Sequence, residues 1–398
     1  MQHFSILQIA NRIPWPLNDG GNIATYNVTR HLHRRGHRVV LVTLNTKKHY
    51  QDPELLDELS AVHATDIDTS LTAWGLLRGL WSAQPYNVER FRSEAFAESL
   101  VGVLQQEKFD IIQLEGSYLS MYLPLLRKYS AAPVLLRSHN VEYRIWQRLA
   151  KNTRHPIKRL YLKDLARKIR KFELHWLAQY DGVIAIADQD EATYRAAGFA
   201  RHLRTINGGV DLATFRPSRP PEFAPRICFL GSLEWQPNVQ GLHWFLNQVW
   251  PEVVRHHPEA QFHVAGKNPP PSLARLSAPG LTFHGMVPDA AEFLDAHHLF
   301  IVPLLSGGGM RLKIVEAMAN GKCVLSTHIG AEGIACTHGK DIFLADRPAK
   351  WTAILRELLT SPEKSVAVAR KGMELAAAKY SWEAIIAQFE AFYREVGA

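Results

Sequence analysis

The sequence predicts an α/β protein built as two doubly wound, Rossmann-like domains. Its 398 residues match two domains of ordinary size, each large enough for a core of its own. Short apolar runs alternate with helical patterns along the chain, the mark of parallel sheets. A proline-dense stretch at 212–225, holding Pro217, Pro220, Pro221 and Pro225, suits a stiff linker between the two sets.

The first set of strands falls at 4–10, 38–44, 111–114, 134–137 and 182–186, and the second at 227–230, 261–265, 281–284, 299–303 and 323–326. The expected division is 1–211 for the first domain, 212–225 for the linker, 226–380 for the second domain and 381–398 for a last helix. Apolar content of 46% with 21% charged residues excludes a disordered chain. The opening MQHFSILQIANRIPWP reads as a first strand, because its apolar run is short and no basic segment with a cleavage site accompanies it. No window reaches the roughly 18 apolar residues of a spanning helix, so a soluble or peripheral protein is expected. Cys228, Cys323 and Cys336 are odd in number and lack metal-ligand spacing, which argues against a disulfide framework and for a reducing cytoplasm. The pairs His256-His257 and His297-His298 are adjacent, not i, i+4, so no metal site is expected. A net charge of +8 favours phosphates, anionic lipid or nucleic acid without choosing among them.

Ligands of doubly wound sheets bind beyond the carboxyl ends of the strands, and motifs belong there. The richest is 306–333, SGGGMRLKIVEAMANGKCVLSTHIGAEG, a glycine-rich loop feeding a helix and then a buried strand. Gly307, Gly308 and Gly309 permit close backbone approach, and the helix after them aims unpaired N–H groups at the loop. Arg311 and Lys313 add cations in its first turn, and Glu316 offers a carboxylate that accepts two hydrogen bonds from a diol. Asn320-Gly321 ends the helix.

This string resembles the signature of the retaining glycosyltransferases of family 4, in the variant where a glycine-rich segment precedes RLKIVEAMANG. The resemblance covers essentially the whole chain and implies the GT-B fold, two Rossmann-like domains facing a central cleft, with the last helix crossing back to the first domain. Relatives carry two glutamates eight positions apart, the first near the donor sugar and the second on the ribose. Glu316 matches the second, and Gly308 stands at the first. Gly307, Gly309 and Met310 are placed along the donor with them. Relatives also carry an arginine and a lysine for the diphosphate after the first strand of the second domain. Here Gly231-Ser232 follows that strand, with Ser232 in the arginine's place, so Arg311 and Lys313 are the candidates to neutralise the phosphates. The alternative for both is a solvated helix charge.

Gly20 and Gly21, after the first strand and before a helix beginning near Ile23, match a glycine pair beside the donor phosphates; the plainer reading is a strand-to-helix turn. No GxGxxG follows that strand, which counts against a nicotinamide enzyme. His139, in RSHNVE, matches a family histidine near the donor sugar, with a structural histidine as the alternative. Asn140 and Glu142 stand near enough in sequence to orient it, or Glu142 caps the helix running on to Trp146. The turn NGGVDLATF at 207–215 reads as structural. Gly285 and Val287, in HGMV, resemble the segment whose backbone reads the nucleobase.

The implied activity is transfer of a sugar from a nucleotide diphosphate donor, of UDP or GDP type, to a glycan or lipid-linked acceptor with retention, without metal or cofactor, in surface polysaccharide or glycolipid synthesis. A catalytically silent sugar-nucleotide-binding protein, or a nucleotide-sugar epimerase of the same fold, are the alternatives. Between 148 and 171 ten basic residues face one acid, Asp164, and LTAWGLLRGLW at 71–81 offers Trp74, Leu76, Leu77, Leu80 and Trp81 as an apolar surface. The pair of features suits an anionic membrane face on the cytoplasmic side, or else a solvated basic helix and a buried tryptophan pair. Nucleic acid is disfavoured because no aromatic interleaving accompanies the charge.

Overall fold

The fold was analysed in a computed structural model that describes residues 3–17, 20–56, 58–59, 61–70, 72, 81–82, 84–153, 155–215, 225–307 and 310–397. The chain divides into two compact units, residues 1–207 with 386–398, and residues 208–385.

The first unit is a seven-stranded parallel sheet of β1 (Ser5–Ala10), β2 (Arg38–Thr46), β3 (Ala61–Ile67), β4 (Ile111–Glu115), β5 (Val134–Ser138), β6 (Gly182–Ala185) and β7 (His202–Thr205). Its order is β3-β2-β1-β4-β5-β6-β7. β1, β4, β5 and β6 read as near-continuous apolar runs because helices cover both faces, and nearly all their residues are buried. The order reverses between β1 and β4, which opens a crevice beyond their carboxyl ends. Helix α1 (Gly20–Arg34) follows β1. Helices α2 (Glu142–Asn152) and α3 (Pro156–Leu177) lie between β5 and β6. α3 opens with proline at its first position and buries Leu162, Leu165, Ala166, Ile169 and Phe172, a stripe at helical spacing.

The second unit repeats the plan with β8 (Arg226–Leu230), β9 (Gln261–Ala265), β10 (Leu281–Gly285), β11 (Leu299–Val302), β12 (Cys323–Ser326) and β13 (Phe343–Leu344), in the order β10-β9-β8-β11-β12-β13. Here the reversal falls between β8 and β11. Helix α4 (Gln236–Gln248) follows β8, and α5 (Leu312–Ala319) precedes β12. The last helix, α6 (Trp382–Gly397), packs on the first unit from Ile386 onward. There Glu390 binds Arg35 at 2.7 Å and His37 at 2.9 Å.

Three strands escape the sequence pattern: β3, β7 and β13. All are sheet edges, where one side meets no neighbour; polar residues interrupt β3 and β7, and β13 is only two residues long. Gly20 and Gly21 belong to the first turn of α1 and do not precede it, so the helix starts three residues earlier than Ile23. In the 207–215 turn, a Cβ at Gly209 would lie 2.7 Å from the Trp382 ring, so only glycine allows that packing. Pro217, Pro220 and Pro221 of the expected linker, Gly308 and Gly309, and all of 71–81 except Thr72 and Trp81 lie outside the described residues.

The core of the second unit centres on aromatic rings, with Phe245 4.9 Å from Phe262 and 5.8 Å from Trp351. Phe245 is fully buried, so Phe245→Ala leaves a cavity and is expected to cost about 3–5 kcal/mol. Chemical denaturation followed by tryptophan fluorescence reads that loss.

Candidate active site

In the second unit the candidate residues gather at the carboxyl end of β8. The Gly231-Ser232 turn leaves that strand, and α4 brings buried Asn238 back beneath it. Asn238 donates from Nδ2 to the Ser232 carbonyl at 2.8 Å and accepts at Oδ1 from Lys313 Nζ at 3.0 Å. The lysine ammonium also lies 4.3 Å from the centre of the Phe229 ring. A Cβ at Gly231 would stand 3.0 Å from both Asn238 Nδ2 and Lys313 Nζ, so the missing side chain is what lets the lysine arrive. Lys313 and Glu316 are a helical turn apart on α5, and each is half-buried. Burial, reinforced by the charge of Arg311 and opposed by Glu316, lowers the Lys313 pKa to about 7. Burial, opposed by Lys313, raises Glu316 to about 7. Both groups therefore change charge near neutral pH.

Arg311, at the N-cap of α5, stacks its guanidinium 5.0 Å from the Trp235 ring centre. Gly307 has φ of 120°, and a Cβ there would lie 2.5 Å from Arg311 Nη2 and 3.1 Å from Trp235. That glycine is required by both its backbone and its neighbours. Met310 packs against Gly333, 3.4 Å from the position a Cβ would take there. At the end of β10, Gly285 accepts from the Gly266 N–H at 2.7 Å, and a Cβ at Gly266 would lie 2.0 Å from the Gly231 carbonyl oxygen. Gly285, Gly266 and Gly231 thus line the ends of β10, β9 and β8 with bare backbone. Val287 packs into the core of the unit, and its neighbour Met286 is exposed.

In the first unit His139 follows β5 directly, and what holds it is Glu115, the last residue of β4. The imidazole Nε2 lies 2.7 Å from Glu115 Oε2. A carboxylate only accepts, so Nε2 carries the proton and Nδ1 is the free lone pair of the neutral ring. Glu115 also accepts from Gln8 and Gln113, each at 2.7 Å, from Arg137 at 3.0 Å and from Thr25 of α1 at 3.4 Å. Burial opposes its charge, yet Arg137 and His139 together hold the carboxyl far below the usual carboxylate range. Tyr393 of α6 donates to Gln113 Oε1 at 2.7 Å, tying the last helix into the same network.

Glu142 and Asn140 do not orient the histidine. The Glu142 carboxylate takes the Tyr118 hydroxyl at 2.8 Å, and the Asn140 carbonyl takes Ser138 Oγ at 2.9 Å. Nor does the Glu142 side chain cap α2: the Glu142 and Tyr143 amides are bound by Glu173 of α3 at 3.2 and 2.9 Å. Burial raises Glu173 to about 7 despite those bonds. Sequence reasoning missed Glu115, Asn238, Trp235 and Gly266. The one available signal was an acid closing the apolar strand IIQLE, where a charge is costly unless paired.

A family model described as Glycosyltransferase Family 4 matches residues 18–214, and one described as Glycosyl transferases group 1 matches residues 224–361. The chain belongs to the family 4 glycosyltransferases. Its fold is GT-B, and solved structures of that architecture superpose over nearly all of it. Sucrose-phosphate synthase from Thermosynechococcus elongatus has a TM-score of 0.64 at 17% identity, covering 98% of this chain and 99% of its own. Anabaena HepE in complex with UDP has a TM-score of 0.65 at 14% identity, covering 98% and 100%. An uncharacterized 44.6 kDa protein in the cps region of Klebsiella pneumoniae is 24% identical over 360 residues, 86% of this chain and 87% of that protein.

For this glycosyltransferase two outcomes are expected. Glu115→Gln leaves the buried Arg137 charge uncompensated and should cost about 3–5 kcal/mol of stability, read by denaturant unfolding. Nucleoside diphosphate binding should weaken as pH rises through about 7, because Lys313 loses its proton there, and Lys313→Met should flatten that dependence in a calorimetric titration between pH 6 and 9.

Proposed function

We propose that this glycosyltransferase moves a sugar from a nucleotide diphosphate donor, of UDP or GDP type, to an acceptor hydroxyl with retention of configuration. The observation that carries the reading is Lys313, brought by Asn238 to the turn where Ser232 offers no cation. Lys313, Arg311 and the N-terminus of α5 stabilise the charge that develops on the departing diphosphate. Glu316 takes the ribose hydroxyls, and the backbone at Gly285 and Val287 takes the base. In the first unit, His139 offers Nδ1 to a sugar hydroxyl, with Glu115 fixing the ring. The acceptor oxygen attacks from the face the leaving group vacates and gives its proton to the departing phosphate, so no separate protein base is needed. Anabaena HepE was solved with UDP, which supports a nucleotide-bound donor.

The acceptor is a glycan or a lipid-linked sugar in surface polysaccharide synthesis, a reading supported by the relative from a cps region. We place the reaction at the cytoplasmic face of a membrane, with the protein peripheral, a reading supported by the ten basic residues between 148 and 171; no helix among the described residues is long and apolar enough to span a membrane. Gly308, where relatives carry their first glutamate, favours a second reading, a silent sugar-nucleotide binder.

Release of sugar from UDP- or GDP-sugars without acceptor separates the two readings, since a silent binder releases none. In the active protein, Glu316→Gln should weaken donor binding by about tenfold or more, the worth of charge-assisted hydrogen bonds. His139→Ala should lower turnover while leaving nucleoside diphosphate affinity unchanged. A collapsed melting temperature with normal turnover would return His139 to a structural role.

A further inference from the structure

We propose that the cavity between α2 and α3 is a binding site for a phosphate group carried by a lipid at an anionic membrane surface. The inference rests on the membrane reading above and gives it a location. The two helices are joined by residues 153–155 and pack against each other in antiparallel fashion, leaving a cavity of about 370 Å³. Lys151 of α2 and Arg159, Lys163, Arg167 and Arg170 of α3 line it. Their spacing on α3 is helical, so four cations share one face of a single helix. Ala150 and Ala166, too small to fill the gap, leave the space that the cations surround.

Among the described residues, Arg167 alone of the five cations that line this cavity is paired with a carboxylate. Asp164 is bound by Arg167 at 2.6 Å and by Lys168 at 2.7 Å. Arg170 is stacked 5.8 Å from the Tyr143 ring centre. Lys151, Arg159 and Lys163 have no carboxylate partner among the described residues. Like charges held at a concave surface repel one another until an anion enters, and guanidinium forks match phosphate oxygens in pairs.

A second observation selects the source of the phosphate. Leu149, Ile157 and Leu160 stand exposed within about one helical turn, in sequence, of Lys151 and Arg159, with Ile157 75% and Leu160 71% accessible. A soluble phosphate leaves these aliphatics in water, whereas a membrane covers them while its headgroups meet the cations. The apolar tip and the basic cavity therefore call for one occupant that is oily and phosphorylated.

The test is flotation of the full chain with phosphatidylglycerol vesicles at low salt and at about 0.15 M salt. The triple variant Lys151→Gln, Arg159→Gln, Lys163→Gln should bind vesicles about a hundredfold more weakly, since each basic residue near the surface contributes about one unit of binding free energy on the kcal scale. The pair Ile157→Gln, Leu160→Gln should bind about tenfold more weakly at the higher salt. Both variants change only exposed residues, and both should keep the parent's melting temperature and its rate of donor hydrolysis. Vesicle binding by the triple variant equal to the parent's overturns the proposal. So does a paired variant that floats like the parent while inorganic pyrophosphate displaces the parent from vesicles, because the ligand is then a soluble phosphate. Capture of the parent by a DNA duplex as tight as its capture by vesicles also overturns it. Absence of donor hydrolysis in the parent sinks the transferase reading alone, so the two failures are told apart.

Discussion

Glu115 is ionised in a place with almost no water, and the carboxyl end of the first sheet is arranged around that charge. Burial alone would force the proton on. Arg137 from the next strand and the His139 imidazole prevent it, while Gln8 and Gln113 fill the remaining lone pairs. Gln8 comes from β1, Gln113 from β4 itself, Arg137 from β5 and His139 from the residue after it, so the carboxylate ties three neighbouring strands together at one end. Removing one member leaves the others buried and unpaired, which is why such networks are kept whole or not at all. His139 inherits its tautomer and its orientation from this arrangement, and α6 contributes through Tyr393.

The second unit meets the opposite difficulty. Its first strand ends on glycine and serine, with no cation there to face a diphosphate. Lys313 reaches the spot from α5 because three conditions hold together: Gly231 has no side chain, Asn238 offers an oxygen, and Phe229 presents a ring face. Holding an ammonium in so sheltered a place lowers its pKa towards neutrality, and Glu316 one turn away is raised to meet it. A protein built this way binds a polyanion most readily when that anion brings the proton balance back in favour of the charged lysine.

The helices α2 and α3 show how one carboxylate separates local from tertiary effects. Glu173, far along α3, caps the start of α2, and that bond sets how the two helices meet. Their remaining facing surface is basic and concave, so the same pairing that completes the fold also collects the cations into one cavity.

Much was legible before any coordinate. The alternation of apolar strands and helices follows from burial of both faces of a parallel sheet, and that burial is written into each strand's own residues. Gly307, Arg311, Lys313, Glu316, Gly231 and Ser232 were visible because a loop, a helix start and a strand end are local features. Three edge strands were not, since β3 and β7 have a neighbour on one side only and tolerate polar residues, and β13 is just two residues long. Asn238 looked like any residue in the first turn of a helix, and Glu115 like the end of a strand. Only the tertiary structure gave them partners, because the contacts of Asn238 with Lys313 and of Glu115 with His139 join residues that local periodicity leaves unrelated. The sequence by itself determined the two sheets and the motifs at their ends; which buried charges face one another was decided by the folded chain, where pairing depends on strand order and not on position along the chain.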